Sequence, residues 1–186
     1  MDVRKGILVP LVCVPLLSPG LAAAGRVDAY QRPAGSDLTY AFRGVTLSVE
    51  GASATVVSED GYSTFNSRNL ATTGKRVFGY EPPEAPIMSG NVWDQQQYGL
   101  LRIDFAKPVS EVQIDLIFDD DDRAALRAYD ASGNLLGSVV GEGDGRSEVG
   151  HVTASIRAKT PSISYVTAGG VGREAVLLDN LRYKRK

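Results

Sequence analysis

The sequence predicts an all-β protein, an antiparallel β-sandwich or jelly roll. Apolar residues recur with a period of two along most of the 186-residue chain. Turn residues punctuate those runs at short intervals. No segment carries a sustained apolar stripe at helical spacing.

The first 24 residues stand apart from this pattern. Arg4 and Lys5 form a basic head, Gly6 to Leu17 is wholly apolar, Gly or Pro, and Ala22-Ala23-Ala24 offers small residues where a signal peptidase reads. Residues 1–24 are therefore expected to be a secretory signal peptide, leaving 25–186 as one sandwich domain that is secreted, extracellular or periplasmic. Pro10, Pro15 and Pro19 interrupt a stretch already short for a bilayer span, so no membrane span is expected after cleavage. Cleavage would also remove Cys13, the one cysteine, and with it disulfide and thiolate chemistry.

The strands follow in order. Val45, Leu47 and Val49 alternate with Thr46, Ser48 and Glu50. Leu101, Ile103 and Phe105 alternate with Arg102 and Asp104, and Val112, Ile114, Leu116 and Phe118 with Gln113 and Asp115. Shorter candidates are 54–57, 75–79, 124–129, 135–140, 150–156, 162–167 and 174–183. Asp130-Ala131-Ser132-Gly133-Asn134 reads as a hairpin turn, Lys107-Pro108 as a break between strands, and Gly141 to Gly145 as another. About ten short strands without intervening helices imply sheets packed face to face.

Several chemistries lack their residues. A formal net charge of −2 offers no broad footprint for nucleic acid. His151 is the single histidine, without a Gly-x-Ser-x-Gly elbow, a His-Glu-x-x-His pair or a phosphate loop, and it alternates with Thr153 and Ser155 as a solvent-facing strand residue does. No catalytic residues are assigned and no enzyme is expected, although a carboxylate-pair hydrolase needs no such motif. Asp119 to Asp122 reads as a solvated turn before a cation site.

The candidate site residues are aromatic and acidic. Tyr80, Trp93 and Tyr98 fall in or beside the irregular 58–98 region, where rings either stack on the apolar faces of sugars or plug the sandwich edge. Strand alternation over 174–183 places Asp179 on a face with Ala175, Leu177, Leu181 and Tyr183. If that face is buried, the carboxylate needs donors, a basic partner or a cation; the opposite face, with Val176 and Leu178, is equally apolar.

The stretch VSEVQIDLIFDDDDRAALRAYDASGNLLG from Val109 to Gly137 and LLDNLRY at 177–183 resemble secreted bacterial proteins that carry PEP-CTERM sorting signals. The piece from Val27 to Leu47, with Pro33-Ala34-Gly35 and Gly44-Val45-Thr46-Leu47, fits the opening of such domains. Their ectodomains resemble the jelly-roll sandwiches of carbohydrate-binding modules, a galactose-binding-like architecture. The resemblance implies a non-catalytic module for extracellular polysaccharide or cell-surface glycan. It also implies a structural Ca2+ joining a first-strand acid, here Asp28, to a last-strand one, here Asp179, with Tyr30 standing where a glutamate is frequent. After Tyr183 only Lys184-Arg185-Lys186 follow, so the resemblance implies release and not anchoring. A structural matrix or protein-interaction domain without sugar affinity is the alternative expectation.

Overall fold

A computed structural model describes residues 24–63, 68–82, 92–96, 99–118, 121–143 and 150–185. The expected signal peptide (except Ala24) and Tyr98, Asp119 and Asp120 lie outside them. The described chain is a two-sheet antiparallel β-sandwich whose helical content is one 3-10 turn, Ala29–Gln31. In chain order the strands are β1 (Ala24–Val27), β2 (Val45–Glu50), β3 (Thr55–Asp60), β4 (Tyr62–Ser63), β5 (Arg68–Asn69) and β6 (Arg76–Glu81). They continue as β7 (Leu100–Val109), β8 (Glu111–Phe118), β9 (Arg123–Tyr129), β10 (Leu135–Glu142), β11 (Gly150–Arg157), β12 (Ile163–Gly170) and β13 (Leu177–Lys184).

The first sheet runs β11-β8-β13-β6-β3, with β1 also paired to β13. The second runs β10-β9-β12-β7-β2, and β4 with β5 makes a small separate ribbon. Alternation decides what lies between the sheets. Val112, Ile114, Leu116 and Phe118 of β8 meet Leu101, Ile103 and Phe105 of β7, Leu126 and Ala128 of β9 and Val166 of β12 in one buried cluster. Of the intervening residues, Arg102, Asp104, Gln113 and Arg127 point outward and are partly buried.

The expected hairpin is present: Asp130 Oδ1 accepts from the Ser132 and Asn134 amides at 2.8 and 2.9 Å, and Gly133 takes the positive φ of 83° that the turn requires. Two expectations are corrected. Lys107-Pro108 does not end a strand; β7 runs on to Val109, which pairs with Ile163 across a register shift between Ile163 and Tyr165. A bulge is where a proline that cannot donate to the ladder is tolerated. The simple alternation expected over 174–183 also fails. Four residues of β13, Asp179 to Arg182, are matched by three of β8, Asp115 to Gln113, and Asn180 sits at φ 55°. Leu177 and Asp179 therefore face out, while Leu178, Leu181 and Tyr183 all join the inner core.

Glu111 pins three strands of the first sheet. Its carboxylate on β8 takes Lys184 Nζ of β13 at 2.9 Å, Arg157 Nη2 of β11 at 3.0 Å and Gln113 Nε2 at 2.9 Å. The Lys184 hydrogen bond, opposed by partial burial and joined by Arg157, holds Glu111 below the usual carboxylate range. A carboxylate with a depressed native pKa contributes stability that is full above its unfolded pKa and is lost as pH falls through the native one. Glu111→Gln should thus lower stability at neutral pH and match the parent at the acid end. Chemical denaturation of both proteins between pH 2 and 7 (an interval of about 2 to 7 that brackets carboxylate titration) measures that convergence, and parallel curves would contradict it.

Candidate functional site

The outward residues of the second sheet form a graded surface. One transverse row runs Thr46, Asp104, Tyr165, Tyr129 across β2, β7, β12 and β9. The next runs Ser48, Arg102, Thr167, Arg127 across the same strands. At about 4.8 Å per strand each row is about 14 Å long. β9 folds this way because its inward positions are Ala124, Leu126 and Ala128, all fully buried, which sends Arg127 and Tyr129 outward. In β12, Val166 and Ala168 go inward and Tyr165 and Thr167 outward.

Tyr129 and Tyr165, directly opposite in the ladder, stack with centroids 4.7 Å apart and an interplanar angle of 10°. The Arg102 guanidinium lies 3.9 Å from the Tyr165 centroid. Because β7 and β9 flank β12 on opposite sides, Tyr165 stands between the cation and the second ring. Arg102 is itself held. Nε and Nη2 donate to the two oxygens of Asp104 at 2.9 Å each, and Glu50 Oε1 is 3.7 Å from Nη1. The Asp104 hydrogen bonds keep the guanidinium pKa above its ordinary value, against the cost of partial burial. In the middle of the surface, Thr167 is 1% exposed and its hydroxyl has no hydrogen-bond partner among the described residues.

Such a surface offers a ring pair for apolar contact, carboxylates with spare lone pairs to accept from hydroxyls, and a guanidinium to donate. The guanidinium charge is met by two carboxylates, so the surface suits a neutral, hydroxyl-rich ligand. Neither tyrosine was singled out by the sequence. The available signal was parity, since both sit out of step with the Leu126 and Val166 positions, but their adjacency depends on strand order.

The aromatic residues expected to bind ligand lie elsewhere. Trp93 is 0% exposed and Tyr80 is 6% exposed; they meet edge to face at 5.4 Å inside the core. The Trp93 indole donates to the Phe78 carbonyl at 2.8 Å, and its backbone bridges Val176 and Gly170. The reason is physical: a large ring gains most from burial in the core, and its one donor reaches a strand carbonyl there. Tyr98 is outside the described residues.

Asp28 and Asp179 are both buried, but they are held by separate donors. Asp28 accepts from Arg26 Nη2 at 2.7 Å and from the Tyr30 amide at 3.0 Å. Asp179 accepts from the Thr73 amide at 2.8 Å, the Thr72 and Thr73 hydroxyls at 3.0 Å and the Asn180 amide at 2.7 Å. Its ladder neighbour is Asp115, which takes the Thr153 hydroxyl at 2.6 Å and Asn180 Nδ2 at 2.9 Å; the Thr72 hydroxyl, 2.6 Å from Asp115 and 3.0 Å from Asp179, has one proton to share between the two carboxylates. Burial pushes the Asp179 carboxyl up; burial also acts on Asp115, but the three side-chain donors outweigh it and bring that carboxyl down. Among the described residues no group of three or more His, Cys, Asp or Glu could hold a metal ion. A cation shared by Asp28 and Asp179 would meet the Arg26 guanidinium and a set of N–H donors where it needs lone pairs, so this pair does not fit the expected Ca2+ site.

No family model matches the chain, and no curated protein does. It is similar to the enzymatically active domain of tailspike protein 4 of bacteriophage CBA120, at 12% identity and TM-score 0.39, over 76% of this chain and 19% of that one. It is similar to the CBM22-1–GH10 modules of Clostridium thermocellum endo-1,4-beta-D-xylanase 10B complexed with xylohexaose, at 9% identity and TM-score 0.43, over 81% of this chain and 28% of that one. It is also similar to TmCBM61 in complex with beta-1,4-galactotriose, at 14% identity and TM-score 0.34, over 77% and 86%. The chain thus spans less than a third of the tailspike and xylanase chains. Among the described residues, no helix is long and apolar enough to cross a membrane.

Core placement of Trp93 has a measurable consequence. Trp93→Ala should lower unfolding stability by about 3–5 kcal/mol, the cost of emptying a large buried aromatic site. A urea titration that moved by less than about 1 kcal/mol would instead show a ring that is not packed.

Proposed function

We propose that this protein is a secreted, non-catalytic module that binds extracellular polysaccharide or cell-surface glycan on the outer face of its second sheet. The observation that carries the reading is the stacked Tyr129–Tyr165 pair, clamped by Arg102 on a partly exposed sheet face. Tyr165 is covered by Arg102 on one face and Tyr129 on the other. The apolar C–H face of a pyranose ring would therefore pack on the outer face of Tyr129, which Tyr165 holds in place, and its hydroxyls would find Asp104 and Glu50, 40% and 44% exposed at their side chains. A second reading, docking of a protein partner, is favoured by exposed Leu135, Leu136 and Val140 on β10, an edge strand of that sheet.

Titration with neutral xylo-, gluco- and galacto-oligosaccharides tests the glycan reading. Tyr129→Ala and Tyr165→Ala should each weaken binding about tenfold or more, with the circular-dichroism spectrum unchanged. No binding across the panel, or variants that bind like the parent, would remove the proposal.

A further inference from the structure

The opposite face of the sandwich carries an open groove of about 420 Å3 where β1, β13 and β8 lie side by side. The size is within the range of small-molecule sites. Its side chains come from two ladder rows. Arg26, Arg182 and Gln113 stand in register across the three strands, and Lys184 and Glu111 follow in the next row. Gly25 and Tyr183 also line it, and the Tyr183 ring packs where a Gly25 side chain would stand.

Two arginines directly opposite each other are an unfavourable cross-strand pair. Their charges are met unevenly: Arg26 has a carboxylate partner, and Arg182 has none among the described residues. Asp28 answers Arg26, while Glu111 already serves both Lys184 and Arg157. Among the described residues, Arg26, Arg182, Lys184 and Arg157 thus gather around Asp28 and Glu111, while Asp115 and Asp179 further along β8 and β13 are capped by Thr72 and Thr73, in a chain whose formal net charge is −2. Arg182 is exposed. Its Nε is steadied by Asn180 Oδ1 at 3.2 Å, and its two terminal nitrogens make no hydrogen bond among the described residues. A sheet that sets like charges in one row, against the sign of the whole molecule, departs from local consistency in the way a binding site does.

We infer that this groove binds a uronate-bearing oligosaccharide, with its carboxylate on the Arg182 and Arg26 guanidinium groups. A planar guanidinium fork matches a planar carboxylate with two parallel hydrogen bonds. The Gln113 amide and the Glu111 carboxylate supply partners for the neutral hydroxyls of the same sugar. The site is built from different strands than the tyrosine face and stands or falls separately from it.

Titration calorimetry of the purified protein with tetragalacturonate, its methyl-esterified form and sodium sulfate alone tests this inference. Tetragalacturonate should bind, more weakly as NaCl is raised. The ester should not bind, and sulfate should bind at least about tenfold more weakly. Arg182→Gln should cost about tenfold or more with the melting temperature unchanged, Arg182→Lys should recover part of that loss, and Tyr129→Ala should leave it untouched. The inference is overturned by silence toward tetragalacturonate, by equal binding of the ester, or by sulfate binding as tightly as the sugar. An inert Arg182→Gln, or loss of binding in Tyr129→Ala, which would move the ligand to the other face, overturns it as well.

Discussion

The register of β12 between β7 and β9 is the constraint from which the rest of the molecule follows. Side chains alternate along a strand, so a slip of one residue exchanges its faces. In the observed register Val166 and Ala168 enter the core, and Tyr165 and Thr167 emerge beside Arg102 and Arg127. The same pairing sets Tyr165 against Tyr129 and gives Arg102 a ring to lie on. A shifted strand would bury a phenol and a hydroxyl between the sheets and expose valine and alanine. The apolar core thus enforces the arrangement of the outer surface.

The two outer faces solve the problem of charge on a sheet differently. On the second sheet, Arg102 is enclosed by Asp104 and Glu50, and the surface is electrically quiet around its rings. On the first sheet, Glu111 is outnumbered by its basic neighbours, and the terminal nitrogens of Arg182 make no hydrogen bond among the described residues. Part of that sheet is covered. Leu70 packs with Val77, Ile117 and Leu177, and Thr72 and Thr73 cap the Asp115–Asp179 pair. The segment that supplies these residues turns part of an outer face into interior, which is why a carboxylate there is 0% exposed.

Strand identity was legible wherever alternation was strict. Val112 to Phe118 and Leu101 to Phe105 read directly as half-buried strands, and the Asp130–Asn134 turn announced its hairpin through an aspartate able to accept two backbone amides. The sequence was ambiguous where one residue is inserted. Around Asn180 both parities of 174–183 are apolar, because the bulge at its positive φ moves the inward set from Leu178 to Leu181 and Tyr183. The site was harder still. Trp93 looked like a ligand residue because its neighbours are polar, yet its ring goes where the core has space for it. Tyr129 and Tyr165 are 36 positions apart, and only the β9-β12 pairing brings them together. Parity shows which side a residue faces, but strand order decides its neighbour.

The most direct measurement of this account is the set of cross-strand nuclear Overhauser contacts made by β12 in solution. Backbone protons of Tyr165 should show contacts to those of Tyr129 on one side and Asp104 on the other, and those of Thr167 to Arg127 and Arg102. Contacts that pair Val166 with Tyr129 or with Asp104 would place the rings inside the sandwich and contradict it.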